Sequence, residues 1–225
     1  MINLPRENIL AHRGLWHDEK EKNTKAALQN ALALGFGIET DLRDSNENIV
    51  LSHDIPKNNS SDLDLRWLFD FYVSNNCSGC LALNIKADGL GCEIKKLIDL
   101  YQIANYFIFD MSVPDLILNK DLNLNQFCRS SEYENAMKLL SYAKGVWVDK
   151  FNGLSYKIED LRQIIEAFPS AAIVSPELHG SSIIQSKIDW HTVKQICTSN
   201  EATKPIYLCT DFPEEAYAFI NGKIK

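Results

Sequence analysis

Eight short apolar runs, separated by longer amphipathic segments, constrain the architecture of this 225-residue chain more than any other feature. In order they are Ile9-Leu10-Ala11, Gly37-Ile38-Glu39, Leu81-Ala82-Leu83, Phe107-Ile108-Phe109, a weaker run at Leu124-Asn125-Gln126-Phe127, Gly145-Val146-Trp147-Val148, Ala171-Ala172-Ile173-Val174 and Pro205-Ile206-Tyr207-Leu208. Runs this short read as strands, and most segments between them carry helical periodicity. Thr24 is placed to cap a helix whose apolar face is Ala27, Leu28, Ala31 and Leu32, with Gly35 to stop it. Leu161, Ile164, Ile165 and Phe168 repeat the pattern before Pro169. Ile183, Ile184, Ile188, Val193 and Ile196 mark another helix, with a break expected near Asp189. Parallel strands require crossovers, and helices cover the outer face of the sheet they cross, so eight such units predict a single (β/α)8 barrel of the α/β class. An open doubly wound sheet is the alternative, but no Gly-rich phosphate loop follows the first run. Residues 49–76 break the alternation, with Ile49-Val50-Leu51 followed by a polar stretch at 57–62 and an apolar one at 65–73. They are read as a loop excursion after the second strand, on one domain spanning residues 1–225.

The chain carries 23 Lys plus Arg against 30 Asp plus Glu, a formal charge of −7, with 45% hydrophobic residues, enough for a large core. An acidic balance argues against sequence-blind contact with nucleic acid or an anionic membrane, since both need surplus cations. It leaves room for a local cationic pocket that holds one phosphate. The first residues lack the basic-then-apolar pattern of a secretory signal, and no stretch reaches the roughly 18 apolar residues of a membrane span. The 6 cysteines fall mostly in apolar segments of a chain too long to need disulfide staples, so a reduced, cytoplasmic protein is expected. Cys77-Ser78-Gly79-Cys80 has the spacing of half a zinc site, but no second pair completes it, and thiols without function are expected there.

In such a barrel the chemistry gathers where strands run into the loops that follow them. Ionisable residues sit at those ends: His12-Arg13-Gly14, Glu39-Thr40-Asp41 with Arg43, His53-Asp54, Asn84-Ile85-Lys86, Asp110, Asp149-Lys150, Glu177-Leu178-His179 and Thr210-Asp211. Glu39 and Asp41, two apart on a strand, share a face. Side by side they repel unless a proton or a hard divalent cation lies between them, or lysines and water neutralise the strand end. His12 and His53, taken singly, read as structural or surface histidines; facing one site they become candidate acid and base. Arg13 offers a fork of donors suited to phosphate or carboxylate. Arg129, after the weak fifth run, suits a second anionic group, and Ser131 reads as the N-cap of a following helix with Glu134 in its first turn. Trp16 and Trp147 read as packing or as an apolar wall.

Taken in order, His12-Arg13-Gly14, Glu39-x-Asp41 with Arg43, His53-Asp54, x-Ile85-Lys86 and Thr210-Asp211-Phe212-Pro213-x-x-Ala216 resemble the motifs of the glycerophosphodiester phosphodiesterase family. The first three form one block over residues 9–54 and are specific together, while the last extends the resemblance over the whole barrel. The resemblance implies a metal-dependent barrel of the phospholipase C-like phosphodiesterase type. By matched residue it implies His12 and His53 as the catalytic acid and base, with His53 preferred as the acid. It further implies Glu39 and Asp41 as ligands of a divalent metal, Mg²⁺ or Ca²⁺, and Arg13 and Lys86 as the groups that hold the phosphate. The chain departs from the family where Asn84-Ile85-Lys86 replaces a Glu-x-Lys whose Glu is the third metal ligand. Asn84 still offers an uncharged carbonyl oxygen, and Asp110 or Glu177 is the alternative third ligand. The family's seventh-strand aromatic motif is replaced by Ser175-Pro176-Glu177-Leu178-His179.

The activity this implies is hydrolysis of a small soluble phosphodiester by two-histidine acid–base catalysis. The substrate would be glycerophosphodiester-like, or a nucleotide-linked or cell-surface-polymer precursor, with Arg129, Lys150, Glu177 and His179 reading the alcohol. The expected partner is that small molecule, with neither nucleic acid nor membrane. A degenerate barrel that binds a phosphate ester without turnover is the second reading. A third, an aldolase or isomerase, would need Lys86 or Lys150 as a Schiff-base amine, and nothing nearby in the sequence clearly depresses either pKa.

Overall fold

Alternation along the short runs sorts their side chains into two cores. The computed structural model describes residues 4–56, 63–152, 155–198 and 204–224, so the polar stretch at 57–62 lies outside the described residues. The strands are β1 (Ile9–His12), β2 (Gly37–Ser45), β3 (Asn48–Leu51), β4 (Leu63–Asp64), β5 (Leu81–Ile85), β6 (Tyr106–Phe109), β7 (Phe127–Ser130), β8 (Gly145–Val148), β9 (Ala171–Val174) and β10 (Ile206–Thr210). In parallel register, β1 pairs with β2 and β10, β2 with β5, β5 with β6, β7 with β8, β8 with β9, and β9 with β10. The gap between β6 and β7 is spanned by a single bridge, Ile108 to Gln126, where the Ile108 N–H donates to the Asn125 carbonyl at 2.8 Å. Seven of the eight apolar runs are thus strands of a closed eight-stranded (β/α)8 ring, while the weak run at 124–127 meets its strand only at Phe127, β7 being the more polar Phe127–Ser130.

Inside the ring lie Leu10, Ala82, Phe107, Phe109, Phe127, Trp147, Ala172, Val174 and Cys209. Bulky aromatics on β6, β7 and β8 face small side chains on β5, β9 and β10, which suits an eight-stranded interior just wide enough to be filled by side chains. Phe107 stacks on Phe127 and Phe109 on Trp147, each at 3.9 Å between ring centres. Each such buried aromatic contributes about 1.5–3 kcal/mol. The opposite strand faces, including Ile9, Ile38, Leu83, Ile108, Val146 and Ile173, pack outward against the helices.

Those helices are α1 (Lys25–Ala33), α2 (Leu65–Ser74), α3 (Gly91–Tyr101), α4 (Val113–Leu118), α5 (Ile158–Ala167), α6 (Ile183–Thr198) and α7 (Pro213–Ile220). Thr24 caps α1 as its sequence predicts, its Oγ1 accepting from the Ala27 N–H at 3.3 Å. Three local expectations are corrected. The segment 49–76 is not a loop throughout: β3 and β4 form an antiparallel excursion on β2, and α2 is the crossover to β5, burying Leu65, Leu68, Phe69 and Tyr72 as one stripe. Helix α6 runs unbroken through Asp189, which is 2% exposed and accepts from the Tyr156 N–H at 3.3 Å, so the residue that suggested a break is a buried acceptor. Ser131 is not a helix cap; its Oγ accepts from Tyr133 N–H in a turn, and Asn135 caps a short 3-10 turn at Ala136–Leu139. That turn stands where an α-helix would normally connect β7 to β8. The six cysteines are free thiols. No helix among the described residues is long and apolar enough to cross a membrane.

Candidate active site

Closing the ring sets the last strand against the first, with Ala11 in register with Thr210, and this brings Asp211 beside His12. His12 Nδ1 lies 2.6 Å from Asp211 Oδ1. A carboxylate only accepts, so Nδ1 carries the proton and the Nε2 lone pair is left for the site. Nε2 points toward Glu39, 3.9 Å from its Oε2. The backbone behind the imidazole is held by Trp16, whose Nε1 donates to the His12 carbonyl at 2.9 Å. The chain then turns sharply through Arg13 and Gly14, at φ of 57° and 92°. A Cβ on Gly14 would stand 2.5 Å from the Ala27 carbonyl carbon, so that position excludes any side chain.

Glu39 and Asp41 both point into the ring, as their spacing on β2 requires, but they differ in what they meet. Glu39 is 2% exposed; its Oε1 accepts from Asn84 Nδ2 at 3.2 Å and its Oε2 has no hydrogen-bond partner. Burial, then the charge of Asp41, push its pKa up to about 7, against the pull of His12, Arg13 and Lys86. Asp41 is fully buried and accepts from Asn23 Nδ2 at 2.8 Å, while Arg13 Nε lies 3.0 Å from its Oδ2 and Lys86 Nζ 3.3 Å from its Oδ1. It is therefore the counter-ion of both residues matched to phosphate binding.

Asp110, at the end of β6 with φ of 69°, holds Arg129 Nη1 at 3.2 Å, and Lys86 Nζ is 4.0 Å from its other oxygen. Burial raises the Asp110 pKa, with Arg129 and Lys86 opposing. Arg129 also pairs through Nε with Glu134 at 2.6 Å. Across the mouth, His179 Nε2 lies 2.6 Å from Asp149 Oδ1, and that hydrogen bond raises the His179 pKa. His53 sits on the excursion with its side chain 48% exposed and Nδ1 2.8 Å from Asp54. Arg43 ties that loop to β5 by donating to the carbonyls of His53 and Lys86 at 3.0 and 3.1 Å.

These groups surround a pocket of about 320 Å³ at the C-terminal mouth of the barrel, lined by His12, Arg13, Glu39, His53, Asn84, Lys86, Asp110, Arg129 and His179 over Phe109, Trp147 and Val174. Asp41 lies beneath this lining. Two residues singled out from the sequence reach elsewhere. Lys150 donates to the Ser155 carbonyl at 2.7 Å and covers the Tyr156 ring. Glu177 has both oxygens engaged: Oε1 accepts from Thr210 Oγ1 and from the Asp211 N–H at 3.1 Å, and Oε2 accepts from Ser175 and Ser186. Glu177 thus fixes the backbone that carries Asp211. Asp211, Asp149 and Asn23 were given no role by sequence reasoning. The adjacency of first and last strands in a closed barrel is the signal that identifies Asp211.

Among the described residues, no three His, Cys, Asp or Glu side chains form a group that could hold a metal ion. The donor set to be tested is instead two carboxylates and an amide. Glu39 Oε2, Asp41 Oδ1 and Asn84 Oδ1 are all buried and without hydrogen bonds. Three hard oxygens of this kind, of which Asp41 Oδ1 is ion-paired with Lys86 at 3.3 Å, fit Mg²⁺ or Ca²⁺ and do not fit a soft metal.

No protein-family model matches the sequence, and no curated protein is similar to it. Solved structures are similar to it at low identity. A Galdieria sulphuraria protein assigned as a glycerophosphodiester phosphodiesterase superimposes with a TM-score of 0.74 at 17% identity, over 95% of this chain and 97% of that one. An Oleispira antarctica phosphodiesterase in complex with its product sn-glycerol-3-phosphate gives 0.69 at 14%, over 96% and 97%. A glycerophosphodiester phosphodiesterase from Parabacteroides distasonis gives 0.65 at 14%, over 97% and 98%. The chain has the barrel fold of the glycerophosphodiester phosphodiesterases along almost its entire length.

Proposed function

We propose that this chain is a phosphodiesterase that hydrolyses a small glycerophosphodiester-like substrate. One observation carries the proposal: a histidine locked by Asp211, with its free nitrogen turned inward, shares a small pocket with Arg13, Lys86 and Arg129. A phosphodiester is an anion, and attack on it becomes easier when cations neutralise charge on the non-bridging oxygens. Arg13, Lys86 and Arg129 supply that charge. His12 Nε2 takes the proton from the nucleophile, either water or a neighbouring substrate hydroxyl, and Asp211 stabilises the imidazolium that results. His53, which lines the same pocket, protonates the departing alkoxide. A divalent cation held by Glu39, Asp41 and Asn84 would draw further charge from the phosphate oxygens. His179, oriented by Asp149, contacts the alcohol.

The test is a panel of glycerophosphodiesters followed by ³¹P NMR, with EDTA and with added Mg²⁺ or Ca²⁺. Turnover is expected with metal, and loss of turnover in folded His12→Ala and His53→Ala proteins; full activity of H12A would refute the assignment. The same pocket binding a phosphate ester without cleaving it is the second reading. It is favoured by the ion pairs that already join Arg13 and Lys86 to Asp41 and Arg129 to Asp110. Turnover by the unmodified chain separates the two, and Asn84→Glu reports on the metal: a large gain in metal affinity shows that Asn84 weakens the site, and no gain shows that another residue supplies the ligand.

A further inference from the structure

The wall of the barrel is weakest between β6 and β7. Those strands share one bridge, at Ile108 and Gln126, and no ladder pairs them beyond it. Outside this seam the cover is thin, because α4 has only six residues and the β7–β8 connection is a 3-10 turn, Ala136–Leu139. Between them lies a second cavity of about 340 Å³. Its apolar lining is Met111, Val113, Leu116, Phe127, Cys128 and Leu139. Asp110 and Arg129 line this cavity and the active-site pocket alike, so their 3.2 Å ion pair is a common wall.

We propose that this cavity is the subsite for one ester substituent of the substrate, and that it takes the apolar carbon frame of an alkyl or aryl alcohol. The inference rests on the phosphodiesterase reading and adds the substrate class to it. A phosphate that draws Arg129 away from Asp110 parts the shared wall, and the substituent on the ester oxygen at that wall then continues into the cavity. The lining is mostly apolar, and of its polar groups Asp110, Arg129, Glu134 and Asn135 have ion-pair or hydrogen-bond partners, which leaves Lys138 as the cation at its edge. Glu134 Oε2 is already taken by Arg129 and Ser131, and Asn135 Oδ1 by the Met137 N–H at 3.0 Å. An apolar cavity of about 150 Å³ accepts benzene, so the space here suits a butyl, hexyl or benzyl group.

The test is a series of glycerol phosphodiesters whose second alcohol is methanol, butanol, hexanol or glycerol. Turnover is followed by ³¹P NMR and binding by calorimetry. Between methyl and butyl, KM and Kd are expected to fall roughly fourfold per methylene, the glycerol ester resembling the methyl ester. Val113→Trp, at a half-exposed position that tolerates a large side chain, is expected to bring the butyl ester's constants up to the methyl ester's. Leu139→Trp provides the same block from the other side if V113W does not fold. A methyl ester cleaved as well and bound as tightly as the butyl ester would overturn the subsite and leave the phosphodiesterase standing. Chain-length-dependent binding with no cleavage of any ester would overturn the phosphodiesterase and leave the subsite.

Discussion

Replacing Glu39 with Gln should make the metal-free protein more stable at alkaline pH while removing its activity. The substitution keeps the side-chain shape and leaves a carbonyl oxygen for Asn84 Nδ2, now at 3.2 Å from Oε1. What it removes is a charge that the fold holds at a cost. Burial raises the Glu39 pKa from 4.5 to about 7, so between those values the native state binds a proton that the unfolded chain has released. Stability contributed by this group is complete below pH 4.5 and is lost as the pH rises toward 7. At 1.36 kcal/mol per pKa unit, the wild type loses ~3 kcal/mol across that window and E39Q does not. Urea unfolding in EDTA at pH 5 and pH 8 measures the difference. The expected result is similar stability at pH 5 and an advantage of ~3 kcal/mol for E39Q at pH 8, with saturating Mg²⁺ narrowing the gap by stabilising only the wild type. A gap that does not change with pH, or an E39Q protein less stable at pH 8, would refute the account of Glu39 as a desolvated, unsatisfied carboxylate.

Three other substitutions read different parts of the site. Asp211→Asn keeps the contact to His12 but not the tautomer; kcat is expected to fall by about two to four orders of magnitude with little change in KM, as steady-state kinetics would show. Glu177→Ala leaves Thr210, Ser175 and the Asp211 N–H without their acceptor, and Ser186 with only the Ser182 carbonyl; a loss of about 2–4 kcal/mol is expected from denaturant unfolding, far more than an exposed glutamate would give. The Asp149 hydrogen bond raises the His179 pKa, so that pair stabilises the fold below the ordinary histidine range and the contribution fades as pH rises through the raised value. Asp149→Asn should flatten that part of the stability–pH profile, followed by thermal unfolding between pH 6 and 9.

Seven ring strands were legible because each is a short apolar run, β7 less so because Arg129 and Ser130 end it, and the site because ionisable residues collect just beyond those runs. Neither rule says which way a residue turns once the strand has ended. Asp149 and Lys150 are adjacent, yet Asp149 faces the pocket and Lys150 reaches to Ser155. Glu177 and His179 divide in the same way, one bracing the backbone and one lining the mouth. The role of Asp41 as a shared counter-ion was equally hidden, because it depends on Arg13 and Lys86 arriving from β1 and β5. Ser131 and Asp189 misled for a common reason: polar side chains suggest caps and breaks, but each is engaged by a local or buried partner that only the fold supplies.

The contact between His12 and Asp211 joins residues 199 positions apart. During synthesis the imidazole emerges long before the carboxylate that orients it. Until β10 has been made and has docked, β1 has an open edge and its histidine has no fixed tautomer. A nascent or truncated barrel therefore holds Arg13, Lys86 and Arg129 while His12 lacks the carboxylate that orients it, and under the proposed function competence for chemistry would appear in one step with closure of the ring.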